Sequence, residues 1–198
     1  MKKTKIILSM LLILVTMVSF AGCGKDNAEG EELTGNKFVK ITMEDNREII
    51  IEVMPGYAPM TAEFFIEVVK SGYYDGLVFH RAHEGFVVQG GSPNGDGVGG
   101  CGRTVKGEFA SNGIQNDLSH QRGVVSLART EIKDSASGQF FIMHGDDPSL
   151  DGNYAAFGRV VEGMDVVDEI ATRPVSGEML IDKPVMKKVE VLKNYGIY

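Results

Sequence analysis

The rhythm of short apolar runs restricts the fold of this chain more than any other feature. Phe38, Ile41 and Met43 start an alternating pattern that resumes as Ile49, Ile51 and Val53 after Glu44-Asp45-Asn46, which reads as two strands joined in a hairpin. Six further β-like runs follow: Leu77 to Arg81, Phe86 to Gln89, Gly123 to Ala128, Gln139 to Met143, Ala156 to Val161 and Val185 to Leu192. Only two stretches carry helical spacing. One runs from Pro59 to Lys70, with proline in its first turn and Phe64, Phe65, Val68 and Val69 as its apolar side; the other is Met164 to Ala171. Parallel strands need a crossover between each pair, and two helices are too few to supply them. The expectation is a mainly antiparallel sheet closed into a barrel. No repeat of solenoid period is present.

The N-terminal segment reads differently. MKKTK is followed by the uncharged run Ile6 to Gly22 and then by Cys23. A basic start, an apolar stretch and small residues before a cysteine read as a secretory signal. Phe20-Ala21-Gly22-Cys23 resembles a bacterial lipobox, which predicts lipidation of Cys23 and an anchor at the bacterial cell membrane, outside the cytoplasm. A permanent membrane helix is the alternative reading, with a run at the short limit for crossing a ~30 Å hydrocarbon core. The predicted organisation is therefore a signal peptide at 1–22, a lipidated cysteine with a flexible acidic tether at 23–35, and one domain at 36–198. The net charge of −7 becomes −10 once Lys2, Lys3 and Lys5 are set aside (−7 − 3), which disfavours nucleic acid as a partner. With Cys23 acylated, Cys101 has no disulfide partner, so the domain stands on its apolar core.

Several motifs carry no chemistry. Gly95-Asp96-Gly97-Val98-Gly99-Gly100 fits the dinucleotide pattern but lacks the preceding strand and following helix that the pattern requires, and reads as a loop. His80, His83, His120 and His144 have no metal-ligand spacing; three residues apart on a strand, His80 and His83 point to opposite faces. Their expected roles are structural or at the surface, with no metal. Cys101 has no neighbouring base, and no Gly-x-Ser-x-Gly occurs. What remains is one arginine, two glutamines and several aromatic residues on strands, open to a reading as core packing with a solvated arginine.

Those residues lie in Phe79-His80-Arg81-Ala82-His83-Glu84-Gly85-Phe86-Val87-Val88-Gln89-Gly90-Gly91, in Ser137-Gly138-Gln139-Phe140-Phe141-Ile142 and in Leu150-Asp151-Gly152-Asn153-Tyr154-Ala155-Ala156-Phe157-Gly158. With Pro59-Met60-Thr61-Ala62-Glu63, Gly97-Val98-Gly99-Gly100, Val125-Ser126-Leu127-Ala128-Arg129 and Phe157 to Met164, they resemble the cyclophilin family of peptidyl-prolyl cis-trans isomerases in order and spacing, from about Phe38 to Leu192. The resemblance implies a closed eight-stranded antiparallel barrel capped by two α-helices, acting on X-Pro bonds of extracytoplasmic polypeptides to assist folding. It implies Arg81 and Gln139 as catalytic residues, a proline pocket of Phe86, Val87, Phe141 and Leu150, and main-chain contacts at Ala128 and Arg129. Gln89 and Tyr154 complete the substrate set, and Gly97, Val98 and Gly99 line a neighbouring pocket for the residue before proline. Val87 and Tyr154 stand where methionine and histidine are frequent. Ser149 replaces an aromatic wall, which implies weak inhibition by cyclosporin. No cofactor is implied; the partners are proline-containing polypeptides and, through the lipid, the membrane, with the protein a monomer. The competing classes are a non-catalytic module that binds proline segments and a surface adhesin that leaves the groove unused.

Overall fold

A computed structural model describes residues 35–193 and Tyr195. The signal segment and Cys23 lie outside the described residues. Strands β1 (Lys37–Met43) and β2 (Glu48–Val53) form the expected hairpin, with Asn46 at φ 66° in its turn, a conformation asparagine tolerates. The first helix, α1 (Pro59–Lys70), and the second, α2 (Met164–Ala171), fall where the helical spacing puts them. Between and after them come β3 (Val78–His83), β4 (Val87–Ser92), β5 (Val124–Leu127), β6 (Phe140–Met143), β7 (Ala156–Glu162), β8 (Val175–Ser176), β9 (Met179–Leu180) and β10 (Met186–Leu192).

All the pairings are antiparallel, in the order β10-β1-β2-β7-β5-β6-β4-β3-β9-β8. The expected closed eight-stranded barrel is corrected on two counts. The sheet has ten strands, because the β8–β9 hairpin adds two that are too short to show a period. It is also not closed: β10 and β8 are its ends. The start of β10 does meet the start of β3, through Phe79 N–H to the Pro184 carbonyl at 3.0 Å and Met186 N–H to the Leu77 carbonyl at 2.8 Å, without forming a ladder.

The sheet wraps one core. Its inward face supplies Val39, Ile41, Ile49, Ile51, Val53, Val125 and Ile142, against which α1 lays Phe65, Val68 and Val69, all buried. Phe65 meets Phe140 edge-on at 5.8 Å between ring centres and Phe157 at 4.8 Å. Such pairs add about 0.5–1.5 kcal/mol beyond area burial. A smaller cluster, Val87, Val124, Phe141, Met143 and Ala156, forms on the other face. Adjacent strand residues point to opposite faces, so Phe140 packs into the core while Phe141 floors the second cluster.

Candidate active site

Of two irregularities in the β3–β4 ladder, the second aims the charged residue. In the β3–β4 ladder Phe79 opposes Gly90 and Arg81 opposes Gln89, which leaves His80 as an extra residue on β3. This β-bulge re-phases the strand. Phe79 and Ala82 then both face the core, and Arg81 faces outward opposite Gln89. The row continues across the sheet: Gln89 opposes Phe141 on β6, and Phe141 opposes Ser126 on β5. Four strands thus present Arg81, Gln89, Phe141 and Ser126 in line on one face. Neighbouring strands lie about 4.8 Å apart, so the cation and the phenyl floor are two strands apart and within reach of one ligand.

Two adjoining pockets open on this face. One, of about 190 Å³, is lined by Arg81, Phe86, Val87, Gln89, Ala128, Arg129, Phe141, Leu150 and Tyr154. The other, of about 290 Å³, is lined by Gly97, Val98, Gly99, Gln139, Thr130, Ser135 and Ser137 and shares Gln89, Ala128 and Arg129 with the first. Every substrate-site residue expected from the sequence therefore lies in one groove. Thr130, Ser135 and Ser137 were not foreseen; they reach the second pocket from a loop whose polar composition carries no directional signal. The dinucleotide-like Gly95–Gly100 stretch is a loop, as expected, and Ser149 is exposed and absent from either lining.

A directed polar chain joins the pockets. Arginine can only donate, so Arg81 Nη1–H donates a hydrogen bond to Gln89 Oε1 at 3.1 Å. The amide of Gln89 is thereby oriented to donate from Nε2 to Gln139 Oε1 at 2.9 Å. Gln139 Nε2 in turn donates to the carbonyls of Gly97 and Gly99 at 2.9 and 2.8 Å. Those glycines hold φ of 82° and 78°, where other residues are strained. Gly100 beside them has no room for a side chain, since a Cβ would fall 2.0 Å from the Ser137 carbonyl oxygen.

The wall opposite Arg81 is built from rings. Tyr154 stands edge-on to Phe141 at 5.6 Å, and the Arg129 guanidinium lies 4.7 Å from the Tyr154 ring centre and 5.1 Å from that of Phe109. Arg129 also donates from Nε and Nη2 to the Asn153 carbonyl at 3.0 and 2.8 Å, which ties the Leu150–Tyr154 segment to the loop after β5.

Beneath Phe141 lies a buried set that the sequence did not announce. His120 stacks on the Phe141 ring, with Nδ1 2.8 Å from Asp151 Oδ1 and Nε2 2.8 Å from Ser126 Oγ. Burial holds the His120 ring below its ordinary pKa against the pull of Asp151. Asp151 is pushed up by burial but carried below the carboxylate range by the His120 backbone N–H, the His120 ring and the Ser119 hydroxyl. An ionised carboxylate only accepts, so Nδ1 bears the proton and Nε2 accepts from Ser126. This resembles a nucleophile triad in composition only: Ser126 has no exposed surface. The set fixes the floor ring instead. Among the described residues, no group of three His, Cys, Asp or Glu side chains could hold a metal ion, and no helix is long and apolar enough to cross a membrane.

Comparison with known proteins agrees with this geometry. The family described as cyclophilin type peptidyl-prolyl cis-trans isomerase/CLD matches residues 38–194. The chain is 38% identical over 140 residues to peptidyl-prolyl cis-trans isomerase B of Bacillus subtilis, covering 71% of this chain and 94% of that protein. It is 38% identical over 143 residues to a peptidyl-prolyl cis-trans isomerase of Helicobacter pylori, covering 71% and 83%. The crystal structure of a cyclophilin type peptidyl-prolyl cis-trans isomerase of Cryptosporidium parvum superposes with a TM-score of 0.73 at 27% identity, over 81% of this chain and 99% of that one. The structure of that protein in the presence of the dipeptide Ala-Pro gives 0.70 at 29% identity, over 79% and 99%.

Proposed function

The chain belongs to the cyclophilin-type peptidyl-prolyl cis-trans isomerases and catalyses rotation about X-Pro bonds, and from that premise we propose that Arg81 is its catalytic cation and that it works outside the cytoplasm. An X-Pro amide resists rotation by about 18–20 kcal/mol because the nitrogen lone pair is shared with the carbonyl. At the perpendicular state that pair returns to nitrogen. A fixed donor of positive charge beside the proline nitrogen then gains a contact that neither planar isomer offers, and only such differential contacts accelerate the step. Arg81 fits: its guanidinium stays charged, two of its nitrogens are held by protein acceptors, and Nη2 makes no hydrogen bond among the described residues. Phe86, Val87, Phe141, Leu150 and Tyr154 receive the proline ring and exclude water, which strengthens the charge contact. Gln139 and the backbone near Ala128 and Arg129 hold the substrate main chain, and the residue before proline enters the pocket of Gly97, Val98 and Gly99. The Cryptosporidium neighbour solved with Ala-Pro supports a ligand of this class.

The observation that carries the reading is the row that sets Arg81 across Gln89 from the Phe141 floor. Arg81→Ala is expected to slow isomerisation of an Ala-Pro peptide by about one to two powers of ten, the loss of a charged hydrogen bond of about 1.5–3 kcal/mol at about 1.4 kcal/mol per tenfold. Peptide affinity and melting temperature should change little, and Arg81→Lys should recover only part of the rate. An Arg81→Ala protein that is folded and fully active would remove the mechanism.

The basic MKKTK, the uncharged run to Gly22 and the lipobox-like Phe20-Ala21-Gly22-Cys23 support export and lipidation at Cys23. An anchored monomer would then meet exported chains whose slow proline steps, of about 10–100 s, limit folding.

A further inference from the structure

The carboxylate that accepts from Arg81 Nε lines neither pocket of the groove. Glu178 sits in the turn between β8 and β9; its Oε2 accepts from Arg81 Nε at 2.7 Å, and its Oε1 lies 2.8 Å from His83 Nδ1. The hairpin joins the sheet at this point. Met179 pairs with Arg81 across the β3–β9 edge, and Ala82 N–H donates to the Glu178 carbonyl at 3.0 Å. The backbone of Glu178 is therefore anchored next to the side chain it grips.

We propose that Glu178 is a positioning residue for the isomerisation, holding the Arg81 guanidinium by its Nε edge so that Nη2 is the nitrogen left for the proline site. The inference rests on the reading of Arg81 as the catalytic cation. A planar fork on a long flexible stem has many rotamers, and the single bond from Nη1 to Gln89 lets the plane swing about it. A second bond on a different nitrogen fixes the plane. Gln89 supplies the first from β4 and Glu178 the second from the opposite edge of β3, with His83, exposed on that strand, holding the other carboxylate oxygen. The arginine and glutamate side chains are 28% and 47% exposed, so solvent screens their attraction and the charge itself counts for little in stability. Ionisation is not in question: the Arg81 guanidinium and then the His83 ring hold Glu178 below the usual carboxylate range. What the contact supplies is orientation, and small misplacements of a catalytic group are costly.

The test is a double-mutant cycle between Glu178 and Arg81 in the full protein. Isomerisation of an Ala-Pro peptide, peptide affinity and melting are measured for Glu178→Ala, Glu178→Gln and Glu178→Asp, each with Arg81 intact and as Arg81→Ala. Glu178→Ala is expected to lower kcat/KM about three- to tenfold at unchanged affinity and melting temperature. Glu178→Asp should recover part of the loss, and in the Arg81→Ala background no Glu178 variant should matter. In ¹⁵N-labelled protein the Arg81 Nε–H resonance should shift and exchange faster with solvent in Glu178→Ala. Loss of rate that adds to that of Arg81→Ala, or that follows a drop in melting temperature shared by Glu178→Gln, would overturn the proposal. So would a faster Glu178→Gln enzyme, since neutralisation of the cation would then outweigh its alignment. Wild-type rate in Glu178→Ala beside a slow Arg81→Ala rejects Glu178 and leaves the catalytic cation standing. Full activity in Arg81→Ala rejects both.

Discussion

At the scale of single residues, the aim of Arg81 is won by a neighbour whose polar atoms are buried without partners. His80, the extra residue of the bulge, is 1% exposed, and neither ring nitrogen has a hydrogen-bond partner among the described residues. Burial first, then the positive charges of Lys183 and Arg81, push its pKa down to about 4 from an ordinary 6.5. The sign of the consequence is fixed. Between pH 6.5 and about 4 the unfolded chain binds a proton at His80 that the folded chain does not, so stability is lost as pH falls through that window and levels off below it. The size is up to roughly 3 kcal/mol, because a pKa lowered by one pH unit corresponds to about 1.4 kcal/mol. His80→Leu should remove this component, and denaturant titrations of both proteins from about pH 7 to pH 4 would show it as a shallower loss of stability in the variant. Equal acid losses in the two proteins would mean that His80 does not carry the effect. The carboxylates Asp96, Asp151 and Glu178, each held below its ordinary pKa, lose their contributions as pH falls through their own lower folded values, so some acid loss persists in the variant.

At the scale of elements, helix α1 depends on a residue far outside it. Its N-cap, Ala58, offers no side-chain acceptor, and no acidic residue lies in the first turn. The buried carboxylate of Glu108 substitutes, accepting from Met60 N–H at 3.2 Å and from both Thr61 N–H and Thr61 Oγ at 2.7 Å. Negative charge at a helix N-terminus is favourable, and each donor left buried without a partner costs about 1–3 kcal/mol. Glu108→Ala should therefore destabilise the protein by about 2–4 kcal/mol, with Glu108→Gln less damaging because its amide oxygen still accepts. A melting temperature unmoved by Glu108→Ala would show that water replaces the carboxylate at no cost. The β8–β9 hairpin is the other dependent element: two-residue strands have little stability alone, and here the hairpin is secured by its backbone pairing to the β3 edge, with Arg81 opposite Met179 and Ala82 N–H donating to the Glu178 carbonyl.

At the scale of the whole molecule, one prediction concerns where the enzyme resides. If Cys23 carries the lipid, Cys23→Ala should appear in the soluble fraction or accumulate as an unprocessed precursor, because acylation needs that thiol and stable anchoring needs more than one acyl chain. A mature Cys23→Ala protein that remains bound to membranes on fractionation would end the lipoprotein reading. What the sequence determined by itself was whatever depends on neighbours along the chain. The 3.6-residue spacing placed both helices at their observed limits, and alternation located strands β1 to β7 and β10 to within a few residues. The family resemblance carried by the motif order pointed to thirteen residues, and the fold gathers them into one groove. What only the tertiary structure decided was pairing at a distance. The bulge at His80 is invisible to alternation, because it exists only in register with β4. The open ten-stranded order, the His120 and Ser126 set under Phe141, and the grip of Glu178 on an arginine 97 positions earlier all follow from which strands lie side by side. Periodicity reports how one segment divides its faces between core and solvent; it holds no record of which distant segment will complete the ladder, and that choice is made by the packing of the whole sheet.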